Sequence, residues 1–207
     1  MSGKSTGAIY LATKPKVERM AFANALKYEI FDGLWKFPTE QDVVQALERF
    51  QREVGGKLLL PDYEFPGRDL YYVSKEEKLA WVNLHKVELR PLLQWWGTEY
   101  RRSQDPDYWV RQLEAQAWES IADGNVVVVD DCRFENEREA LREMGLLDIW
   151  VYNPNVPESV GIAGHASEAM GERGADLVIS NSSTLEMYYR TLDTVIACNI
   201  PADVTRK

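Results

Sequence analysis

The chain is short of the residues that build metal centres and disulfide frameworks. Its two cysteines, Cys132 and Cys198, lie far apart and outside any CxxC pattern, and its two histidines, His85 and His165, share no ligand spacing with them. Neither a zinc site nor a disulfide scaffold is indicated, and Cys132, although set among charges, reads as a passive buried thiol. No apolar run approaches the roughly 20 residues that span a bilayer, and the N-terminus lacks the charged, apolar and small-residue order of a signal peptide. That pattern predicts a cytoplasmic protein. An excess of positive charge is also missing: 24 Lys and Arg face 33 Asp and Glu, a net charge of −9. Nucleic-acid and anionic-membrane surfaces need a clustered positive field, so both partners are disfavoured, while a local basic pocket for a small phosphorylated ligand is not. No Gly-x-Ser-x-Gly elbow and no HExxH are present, which leaves a hydrolase little to stand on.

What the chain does have is material for a core. With 207 residues, 45% of them hydrophobic and 28% charged, it fits a single globular domain. It opens on Gly3-Lys4-Ser5-Thr6, the closing part of the phosphate-binding pattern G-x-x-x-x-G-K-[ST], in which backbone N–H groups and the Lys hold phosphates and the hydroxyl reaches Mg²⁺. The first half of that pattern is absent. Taken alone, the triplet is a weak signal, because a leader rich in Gly, Ser and Lys reads equally as a disordered terminus.

Periodicity predicts a helix over 5–13, β-forming residues over 17–22 and a helix over 23–34. An amphipathic helix follows Thr39, then a Gly, Pro and Asp-rich stretch over 55–67, and the region 36–73 reads as an insertion. Helical patterns cover 75–95 and 109–122. Val126 to Val129 is an unbroken β-branched run, the mark of a strand buried on both faces of a parallel sheet. A helix over 135–144, strands over 147–152 and 176–180, and a helix over 184–196 complete the map. Strands alternating with helices imply an α/β fold with a mostly parallel sheet.

Ligands of such sheets sit beyond the carboxyl ends of the strands, which draws attention to Asp130, Asp131, Arg133, Asn136 and Glu137. Alternation sends the two aspartates to opposite sides, so one at most faces a phosphate. An acid here could bind Mg²⁺ through water and Arg133 could neutralise a phosphoryl group; equally, this is a strand-end turn before a helix whose dipole favours acids in its first turn. A second constellation runs from Arg90 through Gln94, Trp95, Trp96 and Glu99 to Arg101, Arg102 and Trp109. Arg offers a planar fork to phosphate, Gln and Glu can read a base edge and an aromatic ring can stack, although Trp rings are more often core. Lys27 and His165 are lesser candidates, a lone His usually being a surface or capping group.

The succession of Ser2-Gly3-Lys4-Ser5-Thr6, Met20 to Lys27, Leu93 to Glu99 with Tyr108-Trp109-Val110, Val129 to Glu137, His165 to Glu168 and Ile179-Ser180-Asn181 resembles the bacteriophage-type deoxynucleoside monophosphate kinases. These are P-loop kinases related to adenylate kinase. The resemblance is strongest from Arg90 to Ile196 and weakest over 36–84. It implies a three-layer P-loop kinase fold with a mostly parallel central sheet and a helical insertion. Residues 1–207 would form one kinase domain, with 36–89 an acceptor-side insertion and 153–175 a lid-like segment. The implied reaction moves the γ-phosphoryl group of ATP, with Mg²⁺, onto a dNMP to give a dNDP and ADP. Gly3, Lys4, Ser5 and Thr6 would hold ATP phosphates, with Ser5 on the metal and Asn181 near the ATP base. Arg90, Gln94, Trp109, Asp131, Arg133 and Glu137 match positions around the dNMP, and Lys4, Arg133 and Asp131 would be the catalytic groups. Partners would be small nucleotides, in the host cytoplasm if phage-encoded. Family members can form a homodimer, for which the Trp-rich helix is one surface, although core burial explains those rings equally well.

Two departures qualify the resemblance. Family members carry a strand and the first half of the P-loop before Gly3, so either the true start lies upstream of Met1 or ATP binding is impaired. Asn24 stands where Asp is common, which weakens a charge-based role there. The alternatives are therefore an inert nucleotide-binding protein that keeps the acceptor pocket, or a P-loop kinase for another small acceptor.

Overall fold

Four consecutive valines cannot cover a helix face economically, and in the computed structural model Val126–Val129 forms a strand that pairs in parallel with Val17–Met20. The structure describes residues 3–35, 41–54, 73–155 and 174–199. They belong to two compact units, one of Met1–Phe22 with Val110–Lys207 and one of Ala23–Trp109.

The first unit holds the strands. β1 (Val17–Met20) and β2 (Val126–Val129) run in register from Val17 opposite Val126 to Met20 opposite Val129, and β3 (Ile149–Tyr152) pairs in parallel with β4 (Leu177–Ser180). Helices α1 (Lys4–Leu11) and α8 (Leu185–Asn199) supply Leu11, Tyr188 and Leu192 to a core that also takes Val151 and Ile179, with Val17, Val128 and Ile149 packed against it. Tyr10 of α1 stacks on Tyr189 of α8 with centroids 3.8 Å apart, and its hydroxyl donates to Asp193. Lys14 Nζ donates to the Tyr10 hydroxyl at 2.8 Å and pairs with Asp193, closing a clip between the two helices. One expectation needs correction. All four β2 valines are half-buried, not enclosed on both faces, and among the described residues β2 pairs with β1 alone. Helix α7 (Glu135–Glu143) follows β2 and ends before Gly145, whose φ of 80° supplies the left-handed turn into β3.

The second unit is helical among its described residues. It contains most of α2 (Phe22–Leu34), then α3 (Gln41–Val54), α4 (Lys75–Leu84) and α5 (Arg90–Gln94), a π-helical stretch over Trp95–Arg102 and the start of α6 (Tyr108–Ala122). Ser74 opens α4 with a capping box: its hydroxyl accepts from the Glu77 N–H, and the Glu77 carboxylate accepts from the Ser74 N–H. The continuous helix expected over 75–95 is broken. α4 stops at Leu84, and the chain restarts at α5 with Pro91 in its first turn, where a residue without an N–H costs no hydrogen bond. Aromatic packing dominates here, with Trp96 and Phe31 fully buried and Trp95 stacked on Tyr100. No described helix is long and apolar enough to cross a membrane. The stretch over 55–67, Thr39, His165 and most of the lid-like segment, residues 156–173, lie outside the described residues.

Candidate active site

The start of α1 is shaped by Gly3. Its φ of 102° is left-handed, which favours glycine, and a β-carbon there would also have to displace the Asn181 amide. Asn181 follows β4 and is fixed by its own N–H donating to the Tyr152 carbonyl at 2.7 Å. The Gly3 carbonyl accepts from the Gly7 N–H at 2.9 Å and from the Tyr188 hydroxyl at 3.1 Å. Lys4, Ser5 and Thr6 are exposed in the first turn, and their N–H groups find no acceptor among the described residues. The Lys4 ammonium lies 5.9 Å from the centre of the Trp150 ring on β3. The structure thus brings together Gly3, Lys4, Ser5, Thr6 and Asn181, which are 175 or more residues apart in sequence at the extremes.

The carboxyl end of β2 carries the second cluster, and each of its acids has an internal partner. Asp130, nearly buried, takes a two-pronged contact from Arg19 of β1 at 3.1 and 2.9 Å. Asp131 accepts from the Phe22 N–H at 2.8 Å and so caps α2. Glu137 is 2% exposed, and one of its oxygens accepts from the N–H groups of Arg133 at 2.7 Å and Phe134 at 3.1 Å. Phe134 precedes α7 and has no acceptor of its own, so only the returning half of a capping box is made. Arg133 is exposed, and its guanidinium has no hydrogen bond or ion pair among the described residues.

On α5, Arg90 and Gln94 stand one turn apart on the same face, both exposed and without side-chain partners among the described residues. Trp109 is different. It is 4% exposed, its indole N–H donates to the Gly97 carbonyl at 3.0 Å, and its ring meets Tyr108 edge-on. Residues 62–192, a span that includes Arg90, Gln94, Trp109, Asp131, Arg133, Glu137 and Asn181, match the family of deoxynucleotide monophosphate kinase.

The chain belongs to that family. It is a phosphotransferase of deoxynucleotide metabolism that acts on deoxynucleoside monophosphates. Compared with the curated proteins, it finds no match.

Within this kinase, several functional-looking groups are tied into structure instead. Arg101 is buried between the rings of Tyr100 and Tyr108 and donates through Nε to Glu29 at 2.7 Å, while the Tyr108 hydroxyl donates to the other Glu29 oxygen. Burial pushes the Glu29 carboxyl above its ordinary range against the opposing pull of Arg101. The Cys132 thiol is pushed up to about 12 by burial, reinforced by the negative charges of Glu137, Asp148 and Asp131. A thiol held protonated is no nucleophile at neutral pH, in keeping with its passive reading. Sequence reasoning missed Arg19, Glu29 and Tyr188. Arg19 could have been suspected from its place one strand over from Asp130 in a parallel pair. Nothing in the local pattern marks Glu29 or Tyr188, since both roles depend on contacts with residues more than 70 positions away.

Proposed function

We propose that this kinase draws its phosphoryl group from ATP and that Gly3, Lys4, Ser5 and Thr6 hold the donor's phosphates. The observation that carries the reading is the start of α1: a left-handed Gly3, N–H groups at 4–6 without acceptors among the described residues, and an exposed Lys4. A helix N-terminus offers oriented N–H groups and a partial positive charge to an anion, and Lys4 adds a full charge. Ser5 is the protein's ligand for Mg²⁺ in this reading. Among the described residues no group of three His, Cys, Asp or Glu side chains could cage a metal. Mg²⁺ in a nucleotide site is held by few protein oxygens together with phosphates and water. The ion would supply charge neutralisation on the phosphate oxygens. Asn181, packed against Gly3, would lie near the donor base.

For the acceptor, Arg90 and Gln94 contact the dNMP, Arg133 neutralises phosphate charge, and Trp109 shapes the helical unit that carries Arg90 and Gln94. Asp131 serves by holding the start of α2. Phosphoryl transfer asks for positioning and neutralisation more than covalent work, which matches a set of one Lys and exposed Arg groups on fixed backbone. The same reading takes residues 1–207 as one three-layer P-loop kinase domain, with 36–89 on the acceptor side and 153–175 closing over the nucleotides. Its partners are ATP and dNMPs, not nucleic acid, in the cytoplasm.

The test is ADP formation from ATP and Mg²⁺ with each of the four dNMPs, for the wild type and Lys4→Ala. Turnover should require a dNMP and fall by about 10²–10³-fold in the variant. Equal turnover in Lys4→Ala would remove the donor assignment.

A further inference from the structure

Every acid around the end of β2 could be read from sequence as a ligand contact. In the fold, Asp130 is turned to Arg19, Asp131 to the Phe22 N–H, and Glu137 to the N–H groups of Arg133 and Phe134. The group left facing outward is the Arg133 guanidinium. Four positions downstream, the Glu137 carboxylate that accepts the Arg133 N–H is enclosed by the protein at 2% exposure.

We infer that Glu137 is a positioning residue for this kinase: its buried carboxylate fixes the backbone of Arg133 and Phe134, and through it aims the Arg133 guanidinium at phosphate, without reading the base of the dNMP. The inference rests on the proposed phosphate role of Arg133. Two physical points support it. A charged acceptor binds an N–H about twice as strongly as a neutral one, and here one oxygen holds two successive donors. Two adjacent N–H groups gathered on one acceptor fix the peptide between residues 133 and 134, which removes the main freedom of a loop that leaves a strand and enters a helix. Arg itself has four side-chain torsions, so a guanidinium can be held to a narrow arc only if its α-carbon is fixed first. A misplacement of about 1 Å in such a group costs on the order of 10²-fold in rate.

The two roles differ in what they predict. A base-reading Glu137 would discriminate among dNMPs and would act independently of Arg133. A positioning Glu137 acts on all dNMPs alike and only while Arg133 is present.

The experiment is a double-mutant cycle with Glu137→Gln, Glu137→Ala and Arg133→Ala, read as kcat and KM for each of the four dNMPs. It is joined by amide hydrogen exchange at Arg133 and Phe134 in the ligand-free protein. Glu137→Gln keeps the volume and an acceptor oxygen, so it guards against a variant that does not fold. Expected results are a loss of kcat/KM of roughly 10-fold in Glu137→Gln and up to about 10²-fold in Glu137→Ala, the same factor for every dNMP. In the Arg133→Ala background the further loss should be under about 2-fold, as expected for residues that act as a unit. The two amides should exchange faster in the Glu137 variants, while β2 amides stay protected. Losses that add to those of Arg133→Ala, losses that differ among bases, or unchanged exchange at 133 and 134 would each overturn the inference. If the wild type turned over no dNMP, the functional reading would fail by itself, and the exchange measurement would still decide whether Glu137 holds the loop.

Discussion

Each unit of this kinase pairs a buried arginine with an acid and leaves other polar groups exposed, but the two differ in what the remaining acids hold. In the strand-bearing unit Arg138 is buried against Asp148, while half-buried Asp131 and buried Glu137 accept main-chain N–H groups and Lys4 and Arg133 are exposed. In the helical unit Arg101 is locked inside, held by Glu29 between two tyrosine rings, while Arg90 and Gln94 are exposed. Exposed charge on a rigid mount is available to a ligand. Buried charge in a closed pair fixes the packing of helices and is available to nothing. Substitutions at the exposed groups on the start of α1 and after β2 should therefore change activity before stability, and those in the buried Arg101–Glu29 pair should change stability before activity.

The sharpest way to break that comparison is Gly3→Ala. The added methyl meets Asn181 and the left-handed φ becomes strained at a cost of about 1–3 kcal/mol, so the thermal midpoint should fall and turnover per folded molecule should drop by about 10²-fold; turnover per folded molecule equal to the wild type would erase the distinction. Next is Arg101→Ala in the helical unit. Removing one partner of a buried ion pair costs about 3–5 kcal/mol, to be seen as a lowered denaturant midpoint with kinetics unchanged per folded molecule. Tyr188→Phe is smaller, removing the hydroxyl that donates to the Gly3 carbonyl. It should cost about 1 kcal/mol and raise the KM for ATP more than that for the dNMP.

The clip between α1 and α8 gives a pH test. Asp193 is partly desolvated, yet hydrogen bonds from Lys14 and Tyr10 hold its carboxyl below the ordinary value; hydrogen bonding to Asp193 holds Lys14 above its own. The stabilisation from Asp193 is present above its unfolded pKa and disappears as pH falls through the lower folded value. That from Lys14 is present below its unfolded pKa and disappears as pH rises through the higher folded one. Asp193→Asn should therefore lower the thermal midpoint at pH 7 and lose that difference in strong acid. The smallest effect is chemical: at pH 8 a maleimide should label exposed Cys198 and spare Cys132 until the protein unfolds.

The strand-bearing unit was the more legible in sequence. Val126 to Val129, the helix after Glu135 and the closing helix all carry local patterns strong enough to survive tertiary context, and their observed bounds fall within a few residues of expectation. The Gly-Lys-Ser-Thr opening and Asn181 could be named, and the resemblance assigns both to ATP, although their direct contact could not be read, because it depends on a close approach between glycine and asparagine. The helical unit was less legible. Its apolar residues continue past Leu84 without a change of period, so the break before Pro91 and the widened turn after Gln94 left no signature in hydrophobicity. Trp109 illustrates the same limit: a ring that chemistry would place against a base is packed with its N–H on the Gly97 carbonyl.

That widened turn makes the helical unit sensitive to insertion and deletion. A π-helix bonds each N–H to the carbonyl five residues back, so the eight residues from Trp95 to Arg102 take up more chain per turn than an α-helix would. Losing one residue there would let the backbone close to an ordinary α-helix, so that the flanking residues could keep their places while the side chains inside the stretch are re-aimed. Arg101 and Gly97 both lie inside it, so the Arg101 bond to Glu29 and the Gly97 carbonyl that accepts the Trp109 N–H are the contacts such a change would disturb. Length is thus fixed in this segment more strictly than composition: an alignment gap between Trp95 and Arg102 would mark a rebuilt helical unit even where every neighbouring residue was kept.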